Sequence, residues 1–250
     1  MRLTFDNDWH ATVAGEPLPI TPCFSGDSLY IAHYTDVKAR ERFLLATFGS
    51  QEWLWDTPDV LRFDRESRKL AGAEFQLPGE SASTEDSARV PVLPAVSPGG
   101  LTADEVRDFR LEMCEVLCRA PGDAVLTGLR DLDVLDEPLE ARVGIAPDTA
   151  LLVQHGTVVG WSLTDPARYL TQVFAAPDHN PPFPATRRLL TECLDLITEP
   201  LIDDVMDGEP AALDRLRAAD QALRAQREDR SRVDVLLARI ANLVEDYRNW

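Results

Sequence analysis

From Ala211 to Trp250 the chain contains no Gly and no Pro, and its apolar residues recur at separations of three, four or seven. They are Leu213, Leu216 and Leu223, then Val233, Leu237, Ile240, Val244 and Tyr247. Side chains at that spacing share one side of a helix, so the segment is expected to be helical and built to lie against something. In a heptad frame the stripe begins at positions a and d but resumes at d and g, and Arg224 to Arg232 between them are polar. That slip argues against a regular coiled coil and for two helices broken near residues 226–232. The stripe then has two uses: packing onto its own chain, or forming a helical dimer or partner interface.

Upstream the period changes. Runs rich in β-branched and aromatic residues (Arg2 to Phe5, Trp9 to Val13, Ser28 to Tyr34, Arg42 to Phe48) read as strands of an antiparallel meander. Val60 to Leu77 reads as a hairpin around the charged tip DRESRK. Residues 78–100 concentrate Pro, Gly, Ser and acid and read as a linker or long surface loop. Thr102 and Glu105 have capping-box spacing with Leu101 and Val106 around them, which predicts a helix to about Arg119 burying Val106, Phe109, Met113, Val116 and Leu117. A second strand region, Ala124 to Tyr169, holds a hairpin turning at His155-Gly156, with Trp161 on the returning strand. Its likeness to the first hairpin fits either an internal duplication or two hairpins of one sheet. A Pro-rich loop at residues 176–186 precedes helix only: Thr186 to Thr198, a restart at Pro200, a stop at Gly208 and a further start at Pro210. The expected fold is α+β, an antiparallel sheet from two hairpin-rich regions with one crossing helix. Residues 1–184 form the α+β part, and the helical region 185–250 packs on the same domain.

Composition narrows the function. The net charge of −18 divides into −6, −8 and −4 over residues 1–100, 101–184 and 185–250, so no acidic tail accounts for it. Such a surface opposes direct binding to nucleic acid or anionic lipid, both of which need clustered Lys and Arg. The basic residues are Arg apart from Lys38 and Lys69, a skew that suggests a GC-rich bacterial genome. Four scattered cysteines, no apolar run after the opening MRLTFDNDWH and no membrane-length apolar stretch predict a reduced, cytoplasmic protein.

Candidate chemistry is sparse. GxxxxGK[ST], GxGxxG, HExxH and GxSxG are all missing, and no cofactor is implied. Cys114 and Cys118 lie four apart on the predicted helix, where they would share a soft metal or pack as small apolar residues. The pairs Asp6/Asp8 and Asp131/Asp133 are no more frequent than 26 Asp place by chance. Asp178 and His179, beside Asn180, put an acid and an imidazole on a braced loop: a catalytic candidate, or a turn before the next helix. Trp53 and Trp55 would share a strand face, and with Trp161 they are candidates for a ligand pocket or interface. The expected role is therefore an acidic binding protein, immunity- or antitoxin-like, that engages a basic protein partner through its acidic surface and helical face. The alternatives are a small-molecule enzyme or binding protein with a pocket near residues 178–184 and Trp161, and a subunit that oligomerises through its C-terminal helices.

Overall fold

Period-two burial marks the hairpin expected at residues 60–77: Leu61, Phe63, Leu70 and Phe75 are buried while Arg62 and Glu74 stay half-exposed. The structure, a computed structural model, describes residues 1–5, 9–50 and 59–246. Its first strands are β1 (Arg2–Thr4), β2 (His10–Val13), β3 (Cys23–Phe24), β4 (Ser28–Ile31), β5 (Thr47–Gly49), β6 (Val60–Asp64) and β7 (Leu70–Gln76). They continue with β8 (Glu80–Ser81), β9 (Ser97–Pro98), β10 (Leu101–Ala103), β11 (Val116–Arg119), β12 (Val125–Leu129), β13 (Ala141–Ala146), β14 (Thr149–Gln154) and β15 (Thr157–Thr164). The helices are α1 (Val37–Ala46), α2 (Thr84–Arg89), α3 (Pro184–Ile197), α4 (Leu201–Met206), α5 (Pro210–Ala225) and α6 (Arg230–Asp246).

The α+β class holds, with two sheets. β3-β4-β7-β6-β5 form an antiparallel sheet, and the remaining ten strands form a mixed one organised about β15. β14 runs along one edge of β15 and leads to β13 and β9. The other edge is shared by β1, paired at Thr157, and β12, paired from Gly160 to Thr164. Beyond these lie β2 and β10 on one side and β11 and β8 on the other. The sheets meet through aromatic side chains: Trp161 stacks on Phe75 at 5.6 Å, and Trp9 packs on Phe63 at 5.2 Å.

Three local expectations are corrected. There is no crossing helix over 103–119: Leu101–Ala103 pairs with β2, Val116–Arg119 pairs with β12, and the chain between is irregular. Phe109 explains the outcome, because it inserts against Trp9 at 3.9 Å and near Phe5, while Asp108 accepts the Gly49 N–H at 3.0 Å. Tertiary burial of one ring outweighs a local cap. Arg42 to Phe48 is mostly helix, since Asp36 caps α1 by accepting the Ala39 N–H at 2.8 Å, ahead of a run of good helix formers. Residues 78–100 are not a bare linker, for they contain β8, β9 and α2, the last capped by Ser83.

The C-terminal stripe is spent inside the chain. α3 buries Leu190, Cys193 and Leu194, α5 buries Leu213, Leu216 and Leu223, and α6 buries Val233, Leu236 and Ile240, all within the apolar cluster that includes the strands. Leu237 and Val244 are half-buried against that cluster, and Tyr247 lies outside the described residues. The expected break falls at residues 226–229. Charge reinforces the docking. Arg119 on β11 bonds Asp123 at 2.7 Å and Asp195 on α3 at 2.5 Å, and Arg215 on α5 bonds Glu192 at 2.6 Å and also Asp195. Among the described residues no helix is long and apolar enough to cross a membrane.

Candidate functional site

β3 is short and stands at the edge of the five-stranded sheet, so its outer side needs a partner. The chain after Tyr169 supplies one: Leu170 bridges Phe24, and the Thr171 N–H donates to the Phe24 carbonyl at 3.0 Å. It then leaves the sheet as a loop closed on itself, the Ala175 N–H bonding the Gln172 carbonyl at 3.0 Å and the Thr171 hydroxyl the Ala175 carbonyl at 3.3 Å. Between this loop and the segment leading into β3 lies a cavity of about 370 Å³. Its walls are Pro19, Ile20, Thr21 and Cys23 on one side, Tyr30 and Ala32 to Thr35 on another, and Val173 to Pro177 above. Phe174 holds a left-handed backbone at φ 73 and meets Tyr34 edge-on at 5.8 Å. A bulky side chain at positive φ is a costly conformation, of the kind that persists where the surroundings enforce it.

The groups in the cleft are suited to binding. Burial lifts the Cys23 thiol above its ordinary value, so it is protonated near neutrality and is a poor nucleophile. Its Sγ lies 3.9 Å from the Thr21 carbonyl oxygen and 3.6 Å from that of Ala175. Burial, followed by the nearby Glu74 carboxylate, pushes the Tyr34 hydroxyl up to about 12, and burial also raises Tyr30. Both phenols are therefore neutral hydrogen-bonding groups on apolar bodies. Among the described residues no Lys or Arg lines the cavity.

A second crevice, barely large enough for a water, is enclosed where the sheets meet beside Trp161. There the buried Asp59 carboxylate accepts the Gln76 N–H at 2.8 Å and both the N–H and S–H of Cys114. Burial pushes this carboxyl up to about 7, against hydrogen bonds that favour the charged form.

The residues expected from the sequence are dispersed. The Asp178 carboxylate accepts the backbone and side-chain N–H groups of Asn180, both at 2.9 Å, and His179 is exposed. The loop is a turn clamped from beneath: buried Arg232 donates to the carbonyls of Asp178 at 2.8 Å and Asn180 at 2.6 Å, and pairs with Asp229 at 2.6 Å. Trp161 lies across Gly128 in the sheet interface and borders the small crevice beside Asp59, not the larger cleft. Cys114 and Cys118 are buried in different apolar clusters, not on one helix. Asp131 caps a 3-10 turn by accepting the Val134 N–H at 3.2 Å. Trp53, Trp55, Asp6 and Asp8 lie outside the described residues. Among the described residues no three His, Cys, Asp or Glu side chains gather as a metal site. Tyr30, Tyr34, Cys23 and Phe174 carry no motif; the one hint is the aromatic-rich end of the strand at residues 30–34.

No protein-family model, no curated protein and no solved structure matches this chain.

Proposed function

We propose that the protein is a small-molecule binding protein whose site is the cleft between Ile20–Tyr34 and the loop at residues 173–177. The observation that carries this is the cavity of about 370 Å³, within the range of ligand pockets, with apolar walls and a few polar groups that orient a ligand. The raised values of Cys23, Tyr30 and Tyr34 favour binding over nucleophilic or basic chemistry by these three groups. Native mass spectrometry of the protein purified gently at low salt is expected to show a bound small-molecule mass. The variant Ala176→Trp, whose indole occupies the rim, is expected to lack it. An adduct retained in full by that variant puts the ligand elsewhere.

A second role, neutralisation of a basic protein, draws on a separate feature. Glu199, Asp203, Asp204, Asp207 and Glu209 are exposed around α4 without ion pairs among the described residues, next to exposed Met206. A basic polypeptide that co-purifies at low salt and leaves at high salt supports it; retention at high salt refutes it.

A further inference from the structure

We infer that the cleft takes an organic cation, an alkylated ammonium group carried on an apolar body. This rests on the cleft being the ligand site and adds the chemical class.

The walls present what such a group needs, and His33 at the exposed rim is the one lining side chain among the described residues that can carry positive charge. Tyr30, Tyr34 and Phe174 offer aromatic surface, and ring faces attract cations through their quadrupole, most strongly when water is excluded. An alkylated ammonium has few or no N–H donors, so it gives up few hydrogen bonds on entering an apolar cavity, and the π surface offsets the cost of desolvating its charge. The carbonyl oxygens of Thr21 and Ala175, both near Cys23 Sγ, add negative dipole ends at the wall. Glu74 stands opposite Tyr30 in the β4/β7 register, and Asp27 precedes β4; both carboxylates are paired, Glu74 with Arg40 and Asp27 with Arg239, so the attraction rests on the rings and carbonyls of the wall. Arg40 donates a hydrogen bond to the Tyr34 hydroxyl, is paired to Glu74 at 3.8 Å and lines the neighbouring crevice with Phe43 and Leu44, not the cleft. The net charge of −18 biases the encounter the same way. A phosphate or carboxylate ligand meets no Lys or Arg among the described lining residues.

The test is saturation-transfer NMR on the full chain with three probes: benzyltrimethylammonium, its uncharged counterpart of the same shape, neopentylbenzene, and phenylacetate. The cation is expected to bind at least tenfold more tightly than the neutral probe, and phenylacetate not at all. Tyr34→Leu is expected to weaken the cation about tenfold, equivalent to about 1.4 kcal/mol, while Tyr34→Phe, which keeps the ring, retains it. Should Tyr34→Leu disturb the fold, Thr35→Arg at the exposed rim adds a repelling charge without touching the core and is expected to do the same. Equal binding of cation and neutral probe, both blocked by Ala176→Trp, overturns the cation class and leaves the cleft as an apolar ligand site. Binding of any probe that is indifferent to all these variants overturns the cleft itself, as does the failure of all three to bind.

Discussion

Arg232→Ala is the substitution expected to hurt most for a single side chain outside the apolar core. Arg232 and Asp229 expose 1% and 2% of their side chains, so the guanidinium sits where no water replaces it. Its removal deletes the 2.6 Å bond to Asp229 and the bonds to the carbonyls of Asp178 and Asn180 at 2.8 and 2.6 Å. It also leaves a buried carboxylate whose other oxygen is held, among the described residues, by the Thr186 hydroxyl at 2.8 Å and the Phe183 N–H at 3.3 Å. Breaking one side of a buried pair costs about 3–5 kcal/mol. For a chain of this length that corresponds to a fall in Tm of roughly 6–20 °C, at about 2–4 °C per kcal/mol. Arg232→Lys is expected to fall between, because an ammonium restores the charge without the fork that reaches two carbonyls and a carboxylate together. The assay is urea denaturation followed by circular dichroism, run as a double-mutant cycle with Asp229→Ala. The single losses are expected to exceed, when added, the loss in the double variant. Additive losses, or an Arg232→Ala cost below about 1 kcal/mol, the scale of an exposed pair, would refute the reasoning. Because the clamped turn follows directly on the loop at 173–177, the same variant is expected to weaken ligand binding in the cleft.

Three further outcomes follow from the packing. Asp59 holds its proton more tightly folded than unfolded, rising from the ordinary 3.8 to about 7, so its contribution is full below about pH 4 and is lost as pH climbs through 7. Measured against Asp59→Asn, the stability of the natural chain is expected to decline across that window by up to about 1.4 kcal/mol per pH unit, and parallel pH curves would contradict this. Gly160→Ala places a Cβ 2.3 Å from the Gly128 carbonyl oxygen, a backbone clash that no rotamer relieves, and is expected to cost about 3 kcal/mol or more in chemical denaturation; a stable variant would show the β12/β15 register to be wrong. Deleting residues 210–250 removes Leu213, Leu216, Leu223, Val233, Leu236 and Ile240 from the shared apolar cluster and is expected to yield an aggregated chain. A compact, folded product on size-exclusion chromatography would instead mean that the helices are an accessory to the fold.

Strong periodicity made the C-terminal half legible. The stripe from Leu213 to Val244, the breaks at Pro200, Gly208 and residues 226–229, and the hairpin at His155-Gly156 all appear in the structure as the sequence implied. Local signals failed where distant partners decided the conformation. Thr102 and Glu105 have a helix start in their spacing, but the partners of this stretch are β2 and the ring of Trp9, which no short window contains. The division of the first eighty residues between two sheets was equally hidden, because alternation specifies a face and not a neighbour. The cleft was half legible. The Pro-rich segment adjoins the cleft, whose walls are residues 173–177 rather than Asp178 and His179, and the opposite wall lies about 140 residues earlier in sequence, at Tyr30 to Thr35. Asp178 forms the turn that is its other reading, because a carboxylate two residues before an N–H accepts it in an Asx turn.

The most direct test of the cleft as the binding site is the alkylation rate of Cys23. It is the half-exposed cysteine and lies in the cleft wall, whereas Cys114, Cys118 and Cys193 are buried, so mild maleimide treatment is expected to label Cys23 first. Saturating benzyltrimethylammonium is expected to slow that labelling at least tenfold, with protection lost in the Thr35→Arg variant. Binding observed by NMR with an unchanged Cys23 rate would contradict the account and put the ligand on another part of the molecule.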